Sequence, residues 1–219
     1  MSSWFSLENH VALVLVWLIL RTRHTRNNGV EVGPWSRWLA SRPAKVILIG
    51  QDWGTDGYFR DYRGRDVASN LTNRNLIEFL ALLGFEVGPP NETDRKSGVF
   101  ATNAILCLKK GAANALSAPV KQEWFSACRS FLRWTIEESG LPTLIALGVR
   151  AYGSVLQAYG LTAKPVPFRE VVAAVSPVHL GAQRRLFAVF HPAARPKDRN
   201  RLQMREDWAR ISGYISQRA

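Results

Sequence analysis

The sequence predicts an α/β domain: a three-layer α/β/α sandwich around a central, mainly parallel, four-stranded sheet. Two observations carry this expectation. Four short runs, Lys45–Gly50 (KVILIG), Val99–Leu106 (VFATNAIL), Thr143–Gly148 (TLIALG) and Leu186–Phe190 (LFAVF), have strand length and are rich in Val, Ile, Leu or Phe. Most lack polar/apolar alternation, which is the pattern of strands buried on both faces. Between the runs lie longer segments with apolar residues at helical spacing. Strands alternating with helices specify a parallel sheet joined by right-handed crossovers.

The elements follow in order. Residues 1–42 read as an N-terminal helical extension packed on the domain. Within it, Val11–Leu20 (VALVLVWLIL) is strongly apolar and is followed by Arg21, Arg23 and Arg26. A spanning helix needs roughly 20 residues, so this run is too short to cross a bilayer. A signal peptide carries its positive charge before the apolar run, and here the charge comes after it. A buried helix is expected; a membrane-surface anchor or an uncleaved signal-like segment is the alternative. After the first strand, a helix over Asn73–Leu83 follows Thr72 as N-cap and stops at Gly84. The second strand leads to a helix over Ala118–Glu138. It starts with Pro119 near its first turn and aligns Trp124, Phe125, Cys128, Phe131, Leu132 and Ile136. The third strand leads to a helix over Val149–Ala158 that ends before Gly160. After the fourth strand, a helix over Arg201–Gln217 carries Trp208, Ile211 and Ile215 on one face. No internal repeat or low-complexity segment interrupts the chain, so residues 1–219 read as a single domain.

Lys plus Arg is 29 and Asp plus Glu is 17, a net charge of +12. That excess favours a polyanionic partner, either nucleic acid or an anionic membrane surface. The two cysteines, Cys107 and Cys128, are too few for a four-cysteine iron–sulfur or zinc site or for a disulfide framework. No metal and no cofactor is expected, and a reducing, cytoplasmic compartment fits buried free thiols.

In open α/β sheets, ligand sites collect at the carboxyl ends of the strands. After the first strand comes Gly50-Gln51-Asp52-Trp53-Gly54. A carboxylate after a glycine turn is aimed into a cleft, or it merely caps the turn. Asn103 lies inside the second run, where its amide must find partners, either in a neighbouring loop or on a planar ligand. His191 stands where the fourth strand leaves the core, followed by Arg195, Lys197, Arg199 and Arg201.

These pieces together resemble the uracil-DNA glycosylase superfamily. Gly50-Gln51-Asp52 resembles the opening of the family's Gly-Gln-Asp-Pro-Tyr motif. Val99-Phe100-Ala101-Thr102-Asn103-Ala104, with Gly111 downstream, resembles the strand whose asparagine reads uracil. His191-Pro192 resembles the family's His-Pro-Ser loop. Order and spacing match over roughly residues 45–200. The resemblance implies a monofunctional DNA glycosylase that acts in base excision repair on a base flipped out of the stack. It implies Asp52 and His191 as the catalytic pair, Gln51, Phe59 and Asn103 as base-binding residues, and Arg195, Lys197 and Arg199 as DNA contacts. Of these, Asp52 would stabilise the cationic sugar and position water, while His191 would donate to the base oxygen. Phe59, with Tyr58 and Tyr62 behind it, would stack on the base. The partner is DNA, the protein is expected to be a monomer without stable membrane association, and the alternative is a non-enzymatic damage-sensing module on the same fold.

Three departures bear on specificity. Trp53 and Gly54 replace the Pro-Tyr of the best-known branch, whose tyrosine excludes the thymine methyl group, so broader base tolerance is expected. Ala193 and Ala194 replace the small polar and proline residues of the second motif. The two cysteines place the chain outside the iron–sulfur branches.

Overall fold

A computed structural model describes residues 44–62, 67–89, 98–106, 109–112, 119–163, 165–174, 176–195 and 197–216. The expected helical extension over 1–42, including Val11–Leu20, and Cys107 lie outside these residues, as does the side chain of Phe59.

Among the described residues, the sheet contains five strands: β1 (Val46–Gly50), β2 (Val99–Asn103), β3 (Thr143–Leu147), β4 (Val178–Leu180) and β5 (Arg184–Val189). Their order is β2-β1-β3-β5-β4. The four expected strands are all parallel to one another. The expected count of four is corrected by β4, which pairs antiparallel with β5 across a turn at Gly181. At three residues, β4 is too short to show a period; its partner strand, not its own sequence, makes it a strand. β2 also stops at Asn103 rather than Leu106. Beyond it, the backbone N–H groups of Ala104 and Ile105 still donate to the Gly50 and Gln51 carbonyls at 2.9 Å each.

Among the described residues, six helices flank the sheet: α1 (Asp56–Asp61), α2 (Leu71–Leu82), α3 (Gln122–Ser139), α4 (Val149–Ala158), α5 (Phe168–Ala174) and α6 (Arg201–Ser216). The N-cap of α2 is Asn70 rather than Thr72, because the Asn70 carboxamide oxygen accepts from the Thr72 N–H at 2.8 Å. α3 starts at Gln122, not Ala118, and ends at Gly140, whose positive φ of 66° suits a C-cap glycine. α1 and α5 are short and were not expected from periodicity.

The layers follow from the strict alternation of β1. Val46 and Leu48 pack with Leu76, Phe79 and Leu80 of α2 and with Met204, Trp208 and Ile211 of α6. Ile47 and Ile49 face the other way, onto Phe125, Cys128, Leu132 and Ile136 of α3 and Val155 and Leu156 of α4. All four β1 side chains are fully buried, each contributing roughly 1.5–3 kcal/mol of burial. On the first face, Trp208 stacks on Phe79 with centroids 5.6 Å apart, and Glu78 of α2 pairs with Arg201 and Arg205 of α6.

From β1 the chain runs outward to β2, whereas from β3 it runs the opposite way to β5. The carboxyl ends of β1 and β3 therefore flank the crevice where such sheets bind ligands. Among the described residues, no helix is long and apolar enough to cross a membrane.

Candidate active site

A cavity of about 460 Å³ opens at this crevice, within the range of small-molecule sites. Gln51 and Asp52 reach it from the end of β1, Asn103 from the end of β2, Leu147 and Gly148 from β3, and His191 from the end of β5. Tyr58 of α1, Asn70 and Thr72 at the start of α2, and Val149 and Arg150 at the start of α4 complete much of the wall. Three of the parallel strands, β1, β2 and β5, thus deliver Asp52, Asn103 and His191, widely separated in sequence, to one site.

Asp52 is held by a tight turn. Gly54 has φ 89°, a conformation that favours glycine, and its N–H donates back to Asp52 Oδ1 at 2.8 Å. Lys109 Nζ lies 2.9 Å from the same oxygen. Gln51 Nε2 donates to Oδ2 at 2.7 Å. Lys109 was not expected from sequence. Its signal was slight: the first of two lysines following an apolar run, with no feature to say which one turns inward. The turn is laced to the Lys109 segment. Lys109 N–H donates to the Gly54 carbonyl at 3.2 Å, Asp56 N–H to the Lys109 carbonyl at 2.7 Å, and Thr55 Oγ1 to the Ala112 carbonyl at 2.9 Å.

His191 follows β5 at the point where Gly148 N–H donates to the Val189 carbonyl at 2.8 Å. Gly148 has φ 96°, a conformation that favours glycine, and a β-carbon there would meet His191 Cβ at 3.6 Å, an ordinary van der Waals contact. The Ala193 N–H donates to His191 Nδ1 at 3.2 Å. Nδ1 is therefore the acceptor, and the proton of the neutral ring sits on Nε2. Burial pushes the imidazole pKa below its ordinary value, against the opposing pull of the Asp52 charge. His191 is thus a neutral donor at pH 7. A histidine with a depressed folded pKa is protonated first in the unfolded chain, so its contribution to stability is present above about pH 6.5 and lost as pH falls toward the folded value. Catalysis through the same ring is expected to be independent of His191 titration above about pH 6.5 and to decline on the acid side. A pH–rate profile compared with that of His191→Gln checks this: the parent's acid decline attributable to the ring must vanish in the variant.

The loop carrying His191 is pinned from α2. Asn75 is buried, and its Nδ2 donates to the Pro192 carbonyl at 2.6 Å. Asn75→Leu is nearly isosteric but leaves that carbonyl unpaired, at a cost of about 1–3 kcal/mol. The expected outcome is a lower melting temperature and turnover reduced about tenfold or more, because a misplaced loop misplaces the ring. Thermal melts and single-turnover rates check both arms.

Asn103 is 1% exposed, and its Oδ1 has no hydrogen-bond partner among the described residues. A buried, unpaired carbonyl at a cavity wall is costly without a ligand and is satisfied by a ligand N–H. Of the aromatics near the first motif, Tyr58 lines the cavity, with the Tyr62 ring 4.6 Å behind it; Phe59 lies on the same helix.

The basic residues after His191 separate into two kinds. Arg195 and Lys197 are exposed on the loop, Arg195 with a 3.4 Å contact to Asp198. Arg199, also expected as a DNA contact, is held within the protein. Its guanidinium is bidentate to buried Asp207, at 2.9 and 2.6 Å, and its side chain is 14% exposed. Arg210 joins the same carboxylate at 2.7 Å. Arg199 ties the loop to α6 rather than facing solvent.

A model of the uracil DNA glycosylase superfamily matches residues 38–211. The type-5 uracil-DNA glycosylase of Pyrobaculum aerophilum is 29% identical over 170 residues, covering 73% of this chain and 68% of that protein. The chain belongs to the uracil-DNA glycosylase superfamily, and its fold and the kind of function to expect, a glycosylase-type hydrolase, follow from that membership.

Proposed function

From this membership we propose that the protein excises uracil from DNA by hydrolysing its N-glycosidic bond, as the first step of base excision repair. The observation that carries the reading is the meeting of Asp52, Asn103 and His191 in one cavity, each with the atom the reaction needs. The target nucleotide leaves the stack and enters the cavity. Asn103 Oδ1 accepts from the ring N–H of the base, and the amide nitrogen donates to a neighbouring carbonyl. Cytosine offers no ring N–H there, so it leaves buried groups unpaired and is rejected. As the C1′–N bond breaks, its electron pair moves into the base, and His191 Nε2–H donates to the base oxygen that gains charge. The Asp52 carboxylate faces the cationic sugar and orients a water, which adds to C1′; the proton it loses ends on the released base. Tyr58 or Phe59 stacks on the base. Arg195 and Lys197 meet phosphates, and DNA is the partner of a monomeric protein.

Gly54 presents no side chain where the best-known branch has its tyrosine, which supports broader tolerance. The test uses duplexes with uracil or thymine opposite guanine, with the free base identified by mass spectrometry. Uracil release, with slower thymine release, is expected. Uracil release alone removes the broad tolerance and keeps the function. Release of neither, in single or double strands, overturns the function and leaves a damage-binding module.

A further inference from the structure

We propose that Lys109 is a positioning residue for this reaction: its ammonium locks the Asp52 carboxylate in one orientation and leaves Oδ2 as the oxygen that takes the water. The proposal rests on the glycosylase reading above. It starts from the accounting of lone pairs. Asp52 Oδ1 accepts from both Gly54 N–H and Lys109 Nζ, which fills the two sites a carboxylate oxygen offers. Oδ2 accepts from Gln51 Nε2 and retains capacity for one more donor. Without Lys109, the carboxylate can turn about its last bond and exchange the two oxygens.

The pair is also oddly placed for mere stability. The Lys109 side chain is 3% exposed and that of Asp52 is 9% exposed. Buried lysines are rare, and a buried ion pair is often no more stabilising than apolar residues of similar volume. Here the pair stands at the wall of the cavity, with Asp52 lining it and Lys109 behind. The lysine is anchored to the very turn that carries Asp52: Lys109 N–H donates to the Gly54 carbonyl and the Lys109 carbonyl accepts from Asp56 N–H. A cation developing in the cavity is nearer the carboxylate than the ammonium. Coulomb energy falls with distance, so the net interaction remains attractive.

The test is a double-mutant cycle in the full-length protein with Lys109→Met and Asp52→Asn, reading single-turnover uracil release and affinity for DNA containing an abasic-site analogue. Lys109→Met is expected to slow release about 100-fold, the scale of a misplaced catalytic group, with DNA affinity little changed. In the Asp52→Asn background the same change should slow release by less than about threefold, since no carboxylate remains to be oriented. Lys109→Arg keeps the charge and is expected to recover part of the loss. If Lys109→Met does not fold at the assay temperature, Lys109→Arg runs the same cycle and must slow release only where Asp52 is present. Equal slowing in both backgrounds, or release by Lys109→Met as fast as the parent or faster, overturns the proposal alone. No release by the parent overturns the glycosylase reading and the proposal with it.

Discussion

Asp52→Asn is expected to slow uracil release about 1,000-fold, equivalent to about 4 kcal/mol of transition-state stabilisation. The substitution preserves shape. An amide oxygen in place of Oδ1 still accepts from Gly54 N–H and Lys109 Nζ, and the Gln51 amide can turn to accept from the new NH₂. What disappears is the negative charge facing the sugar, so binding of DNA should survive while the chemical step fails. The same change removes the negative charge beside buried Lys109, so a loss of stability of about 3 kcal/mol is also expected. Denaturant unfolding measures that arm, and single-turnover rates below the lowered melting temperature separate it from catalysis.

Asn103→Ala is expected to give the opposite pairing of signs. Uracil release should fall about 100-fold or more, and the preference for uracil over cytosine should largely vanish, because the group that distinguishes their edges is gone. Stability should hold or rise by up to about 1 kcal/mol, because the substitution removes a buried carbonyl that has no partner among the described residues. Asn75→Leu removes a satisfied amide and should lose both stability and turnover. The two asparagines, both buried and both near the site, thus separate a ligand-reading amide from a scaffold amide. Melting temperatures and competition between uracil- and cytosine-containing strands decide the comparison.

The parts of the fold that were legible were those whose own residues determine them. β1, β3 and the four long helices bury side chains in runs or stripes, and burial dictates the pattern that reveals them. β4 was not legible, because Val178–Leu180 is a strand only through its pairing with β5. The start of α2 was misplaced for a similar reason: Asn70 and Thr72 are both competent caps, and which one serves depends on the turn at Val67–Asn70 that precedes the helix. Within the site, Asp52, Asn103 and His191 stood at strand ends, where the topology itself gathers side chains. Lys109 and Arg199 were less readable because their environments are set by distant residues. One basic residue turns inward onto Asp52, and the other is drawn off the surface by Asp207, eight positions ahead on α6. A charged residue in sequence carries no mark of the partner that will bury it.

Whether Asp52, Asn103 and His191 form one glycosidic-bond-cleaving site is decided by single-turnover base release from a labelled uracil-containing oligonucleotide, with the parent protein beside Asp52→Asn and Asn103→Ala. Free uracil and an abasic strand are expected from the parent, with near-complete loss in both variants at retained DNA affinity. Equal release by the parent and both variants would contradict the site, and no release by the parent from single- or double-stranded DNA would contradict the activity itself.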